Sequence, residues 1–185
     1  AIETTQLNFP NTIQCGNLLE LYQNKEWLSS LPKIDLILFG FPCRNTSKAV
    51  KGRKGYDDGL QGDSSWLFFP CADIVDWIRQ NNNKNVYFLC ENVDGTKQED
   101  RDIISQRLGV DYIHIDSNLF SAGDRARLYW SNIPYNADEL PKENNLVLKD
   151  ILDEDVPDTY YYDKEFDFYG VDKKVCATLR IKGHD

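Results

Sequence analysis

The chain has 185 residues, 41% of them hydrophobic and 28% charged, which suits one domain with a sizeable core. No apolar run approaches the roughly 20 residues that span a bilayer, and no signal-like segment opens the sequence. The net charge of −9, taken alone, speaks against a nucleic-acid partner, whose binding usually leaves a basic footprint.

In chain order, "AIETTQLNFPNT" reads like the interior of a helix, and the C-terminal "VCATLRIKGHD" stops as abruptly. With no methionine anywhere, this reads as a piece of a longer polypeptide. "NTIQCGN" is a short strand candidate, and "LLELYQNKEWLSSL" has helical spacing at Leu18, Leu19, Tyr22 and Trp27. "IDLILFG" is a continuous apolar run of strand length, the pattern of a strand buried on both faces. A loop follows that is basic from Arg44 to Lys54, with no carboxylate before Asp57. "DSSWLFFPCADIVDWIRQNNN" is a helix with Asp63, Ser64 or Ser65 as N-cap and Pro70 near its start, where proline is tolerated. "NVYFLCENV" is another buried strand, and "EDRDIISQRLG" a helix closed by Gly109. "DYIHIDSNLF" and "RARLYWSNIP" are two strands separated by "SAGD". This alternation predicts an α/β fold with a doubly wound, mostly parallel sheet and an antiparallel edge. After Pro141 the texture turns acidic, tyrosine-rich and weakly periodic, which places a boundary at 145/146.

Ligand sites in such sheets lie beyond the carboxyl ends of the strands. "CGN", "GFPC" and "CENV" fall there, which puts Asn17, Cys43 and Glu91 along one rim. Pro42 restrains the turn that presents Cys43, and a thiol beside cations is activated as thiolate. The alternative is a small buried apolar side chain, the usual fate of a free cysteine and the reading given to Cys15, Cys71, Cys90 and Cys176. Glu91 ends an apolar strand, either facing a cleft or capping a neighbour. Arg125 and Arg127 share one face by period two and suit a phosphate or carbonyl edge. They equally suit salt bridges with Asp124 or Glu91. The basic residues Arg44, Lys48, Lys51, Arg53 and Lys54 suit phosphate, or simply a solvated loop. Five widely spaced cysteines without CxxC, and two distant histidines, His114 and His184, give neither a disulfide framework nor a metal site. They fit reduced thiols in a cytosol-like compartment.

"GFPCRNTS", "ENVDG" and "DRARLYWSNIP", in that order, resemble the DNA cytosine-5 methyltransferase family. The resemblance extends to "GLQGDSSWLFF" and "FPNTIQCGNLLEL" and covers roughly residues 1 to 155. "SAGDRARLYWSNIP" is similar to phage and bacterial members, and also to the catalytic domain of the eukaryotic de novo enzymes. The resemblance implies a Rossmann-like, S-adenosylmethionine-dependent methyltransferase fold, incomplete at its N-terminus. Residues 1–145 would be the catalytic domain and 146–185 the start of a target-recognition region or linker. It implies that Cys43 attacks carbon 6 of a cytosine flipped out of duplex DNA. Glu91 would hold the base, and Arg125 and Arg127 would orient it. Asn17, Leu18, Pro42 and Leu67 match positions lining S-adenosylmethionine, and Ser47 with the basic loop would close over phosphate. Double-stranded DNA would be the partner, with a restriction enzyme as a further one, in the cytoplasm of a bacterial or phage-infected host, without metal or membrane. The family's glycine-rich loop and ribose-binding acid have no counterpart here; Asn17 stands where Asp is usual, and Arg44 where Gln is frequent. A non-catalytic module of the same fold and an RNA cytosine-5 methyltransferase are the alternatives. The lack of a "CFT" triplet weighs against the RNA enzyme, and the lack of a "DPPY"-like segment against an amino-directed one.

Overall fold

The structure, a computed structural model, describes residues 2–46, 56–142, 144, 146, 150 and 176–177. Its centre is a four-stranded sheet of β1 (Leu36–Gly40), β2 (Tyr87–Val93), β3 (Tyr112–Asp116) and β5 (Ala126–Ser131), in the order β1-β2-β5-β3. The two-residue strands β4 (Gly123–Asp124) and β6 (Cys176–Ala177) form a separate parallel pair. β1 runs parallel to β2, because α4 (Phe68–Asn81) carries the chain back between them. β5 is antiparallel to both its neighbours. The described sheet is therefore mixed, with one parallel and two antiparallel pairs, rather than mostly parallel. The short connection after β3 permits only an antiparallel return, so the β3–β5 pair forms the expected antiparallel edge, with β5 inserted between β2 and β3.

Six of the expected elements, the four strands of this sheet and two helices, form with small shifts. α4 follows a 3-10 turn at Ser65–Leu67 and buries Phe68, Ala72, Val75 and Ile78 on one stripe. None of the three expected side-chain N-caps closes it: the N-cap position is Leu67. α5 (Gln98–Leu108) buries Asp100, Ile104 and Leu108 at intervals of four and ends on Gly109 at φ 72°, the left-handed conformation that favours glycine. Asparagines anchor the strand ends. Asn82 Oδ1 accepts the Ile34 N–H at 2.8 Å, and Asn132 Oδ1 accepts the Phe88 N–H at 2.7 Å.

Three expectations change. Residues 12–16 of "NTIQCGN" form no strand. "LLELYQNKEWLSSL" divides into α2 (Leu18–Leu21) and α3 (Lys25–Ser30), each started by an asparagine whose side chain accepts a backbone N–H: Asn17 from Leu19 and Asn24 from Trp27. A further helix, α1 (Ile2–Asn8), buries none of its residues. Finally, β1 is not buried on both faces. It is the outer strand of the described sheet, with Leu36 48% and Leu38 65% exposed.

The core lies between the sheet and α4 and α5. Phe88, Cys90, Leu128 and Trp130 point into it against Phe68, Val75 and Ile104. Each large apolar side chain fully withdrawn from water contributes about 1.5–3 kcal/mol. Trp130 also donates its indole N–H to Ser105 Oγ at 2.8 Å, so the buried polar tip is satisfied. Alternation then fixes the other face: Leu89 and Glu91 on β2, with Arg127 and Tyr129 on β5, project to the side opposite the helices.

Candidate active site

The carboxyl ends of β1 and β2 and the start of β5 meet at one end of the sheet. Three residues beyond β1, Cys43 is half-buried in a turn whose Thr46 N–H donates to the Cys43 carbonyl at 3.3 Å. The turn is tied down on both sides. Asn92 Nδ2 donates to the Phe41 carbonyl at 3.2 Å, and Ser65 Oγ donates to the Pro42 carbonyl at 2.8 Å. The backbone before and after the thiol is thus held by β2 and by the 3-10 turn that precedes α4.

Glu91 pairs in register with Gly40, and Arg127 with Val93. Arg127 Nε lies 2.7 Å from Glu91 Oε1. The contact is an ion pair rather than an aligned hydrogen bond, because the Nε–H finds no acceptor in line. Arg127 Nη1 donates to the Ala126 carbonyl at 2.7 Å, which fixes the guanidinium over the strand start. Gly40 makes room for this carboxylate: a Cβ there would lie 3.3 Å from the Glu91 carbonyl and 3.4 Å from Oε2. Gly40→Ala should therefore shift Glu91 by a few tenths of an ångström.

The other expected site residues fall into three groups. Arg125 lies in the break between β4 and β5 with its side chain exposed, so it does not share a continuous strand face with Arg127. Its backbone N–H donates to Asp116 Oδ1 at 3.0 Å. Arg44 is exposed beside Cys43. Ser47, Lys48, Lys51, Arg53 and Lys54 lie outside the described residues, as does the side chain of Cys176. For the cofactor set, Pro42 is exposed, and Leu18 and Leu67 are half-buried. The Asn17 side-chain carbonyl is engaged by Leu19 N at 3.0 Å. Among the described residues no strand precedes Asn17, so the expected strand end that would carry it is not formed.

The remaining thiols separate by burial. Cys71 is pushed up to about 11, and Cys90 is pushed up further, in both cases first by burial; these are poor nucleophiles. Cys15, expected to be buried, is exposed. Among the described residues no group of three or more His, Cys, Asp or Glu side chains is placed to hold a metal ion. No helix among them is long and apolar enough to cross a membrane.

Sequence reading missed Asp100, which is only 5% exposed. Its Oδ1 accepts the Leu60 N–H at 3.0 Å, tying α5 to the segment that re-enters after the basic loop, while Oδ2 has no hydrogen-bond partner. A Cβ on Gly59, whose φ is +53°, would lie 2.6 Å from the same carboxylate. Burial raises the Asp100 pKa above the ordinary carboxylate value. A raised carboxyl pKa means that the folded state holds the proton more tightly. Stability is then fully present below pH 3.8 and is lost as pH rises through the folded value. Asp100→Asn keeps the oxygen acceptor and removes the charge. Its melting temperature should exceed wild type at pH 8 and converge with it toward pH 3.8, which thermal melts across pH would show. A concavity of about 400 Å³ opens beside Asp100, lined also by Asp58, Lys97 and Glu99. A second, of about 250 Å³, lies on the open sheet face between Leu89, Ile113 and Tyr129. Neither contains Cys43, Glu91 or the four cofactor positions.

Comparison with known proteins shows the family to which the chain belongs. The family model for C-5 cytosine-specific DNA methylases matches residues 1–111, more than half of the chain. The chain belongs to that family. A type II methyltransferase of Neisseria gonorrhoeae, M.NgoBV, is 30% identical over 109 residues, covering 59% of this chain and 22% of the relative. M.BanI of Aneurinibacillus aneurinilyticus, also a type II methyltransferase, is 30% identical over 160 residues, 81% of this chain and 33% of the relative. M.Bsp6I of Bacillus sp. (strain RFL6) is 28% identical over 182 residues, 88% of this chain and 53% of the relative. The chain thus spans between about a fifth and about half of the lengths of these type II methyltransferases. A C-5 DNA methylase works with a methyl donor. Asn17, Leu18, Pro42 and Leu67 line neither of these two concavities, and the Asn17 side-chain carbonyl is engaged in capping α2.

Proposed function

We propose that this chain carries the base-attacking half of a DNA cytosine-5 methyltransferase. The observation that carries the proposal is the convergence, at one end of the sheet, of the braced Cys43 turn and the Glu91–Arg127 pair. In this reading the sheet is half of a doubly wound, Rossmann-like one. The 146–185 segment begins target recognition, duplex DNA is the substrate, and a restriction enzyme is the protein's counterpart in a bacterial cytoplasm.

The chemistry follows from the residues. Cytosine carbons 5 and 6 are inaccessible in stacked DNA, so the base must leave the helix to reach a thiol. The Cys43 thiolate adds to carbon 6, and the displaced double-bond pair makes carbon 5 nucleophilic. Glu91 accepts from the exocyclic amine with one oxygen and, once protonated on the other, donates to the ring nitrogen, so the added electron density is stabilised. Arg127 holds that carboxyl in place and, with Arg125, orients the base carbonyl and the nearby backbone, while Arg44, exposed beside Cys43, meets phosphate. S-adenosylmethionine, when bound, supplies an electrophilic methyl group. After methylation water takes the proton from carbon 5, the electron pair left behind restores the double bond and expels the Cys43 thiolate, and the ring nitrogen returns its proton to Glu91.

The test gives the full-length protein labelled S-adenosylmethionine and either duplex DNA or tRNA. Label recovered as 5-methylcytosine in DNA alone supports the reading. Label in tRNA alone makes it an RNA enzyme. Label in neither, with intact DNA binding, makes it a non-catalytic module.

A further inference from the structure

The turn that holds Cys43 contains a second layer of polar contacts. The Ser65 hydroxyl donates to the Pro42 carbonyl at 2.8 Å and accepts the Asn45 N–H at 3.2 Å. One hydroxyl therefore closes the turn across the two residues between, Cys43 and Arg44. Asn45 returns the contact: its Oδ1 receives the Ser65 N–H at 3.3 Å, the Ser64 N–H at 3.3 Å and the Ser64 hydroxyl at 3.1 Å. Both residues are withdrawn from water, Ser65 fully, so these bonds are not in competition with solvent. A Cβ on Gly62 would overlap the Asn45 side chain, so that glycine is what lets the amide reach the turn. A surface turn needs no such clamp, and a packing role would be met by apolar side chains.

We infer that Ser65 and Asn45 are positioning residues that fix the trajectory of the Cys43 thiol toward its target carbon. The inference rests on the reading of Cys43 as nucleophile. A nucleophile must be held to a fraction of an ångström, and a misplacement of about 1 Å costs on the order of 100-fold.

The experiment follows covalent capture of duplex DNA containing 5-fluorocytosine by the full-length protein with S-adenosylmethionine. Rate and final amplitude are read separately, because amplitude counts the folded, competent chains and rate reports alignment. Ser65→Ala is expected to slow capture by about 10–100-fold with unchanged DNA affinity. Asn45→Ala should do the same, and Asn45→Asp, which keeps the acceptor oxygen, should recover at least about a tenfold part of that loss. The double alanine variant should be no slower than the slower single one, because one network is broken in each case. Wild-type rates with reduced amplitude in Ser65→Ala and Asn45→Ala would overturn the inference and leave a purely structural brace. Undiminished capture by Cys43→Ala would overturn both the inference and the reading beneath it, which distinguishes the two failures.

Discussion

Cys43→Ser is expected to abolish covalent capture of cytosine and to lower methyl transfer by roughly four orders of magnitude or more. A serine hydroxyl is nearly isosteric but does not ionise near neutral pH, whereas a thiol provides a usable thiolate fraction. The half-buried position and the turn's backbone bonds to Asn92, Ser65 and Thr46 do not depend on the sulfur. The melting temperature should therefore stay within about 2 °C of wild type. Single-turnover methylation in the full-length protein, beside a thermal melt, separates the lost nucleophile from a lost fold.

The second large effect is expected at Glu91. Glu91→Gln keeps the shape but removes both the charge that faces Arg127 and the ability to give a proton. Loss of one stabilising group aimed at developing charge costs on the order of 100–1,000-fold. The effect on stability should be small, because the pair is partly exposed and such contacts contribute about 1 kcal/mol or less. A single-turnover rate that falls this far while DNA affinity changes less than about threefold is the expected outcome. A rate within twofold of wild type would remove Glu91 from the chemistry.

Much of this arrangement is legible in the residue order. α4 and α5 follow from apolar spacing, and Gly109 from its position after the last periodic residue. The end of β1 announces Cys43, and a lone carboxylate in an apolar run announces Glu91, although β2 continues past it to Val93 rather than ending there. What was not legible depends on pairing. "NTIQCGN" has strand-like composition, but a strand exists only where a neighbour takes its backbone hydrogen bonds, and none among the described residues does. The continuous apolar character of β1 predicts two buried faces, yet the second face is covered by none of the described helices, so Leu36 and Leu38 meet water. Period two cannot reveal the break at Arg125 that sets it apart from Arg127. The clamp of Asn45 and Ser65 joins residues 20 apart through a hydroxyl and an amide. Such contacts leave no periodic trace. The buried Asp100 is equally silent, since a charged residue in a first helical turn looks like an ordinary solvated one.

The most direct measurement is peptide mapping, by mass spectrometry, of the complex trapped on 5-fluorocytosine DNA with S-adenosylmethionine. The attachment should fall on the peptide that contains Cys43, in stoichiometric yield. Attachment at another cysteine, such as the exposed Cys15, or methylated DNA without any protein adduct, would contradict the assignment of Cys43 as the nucleophile.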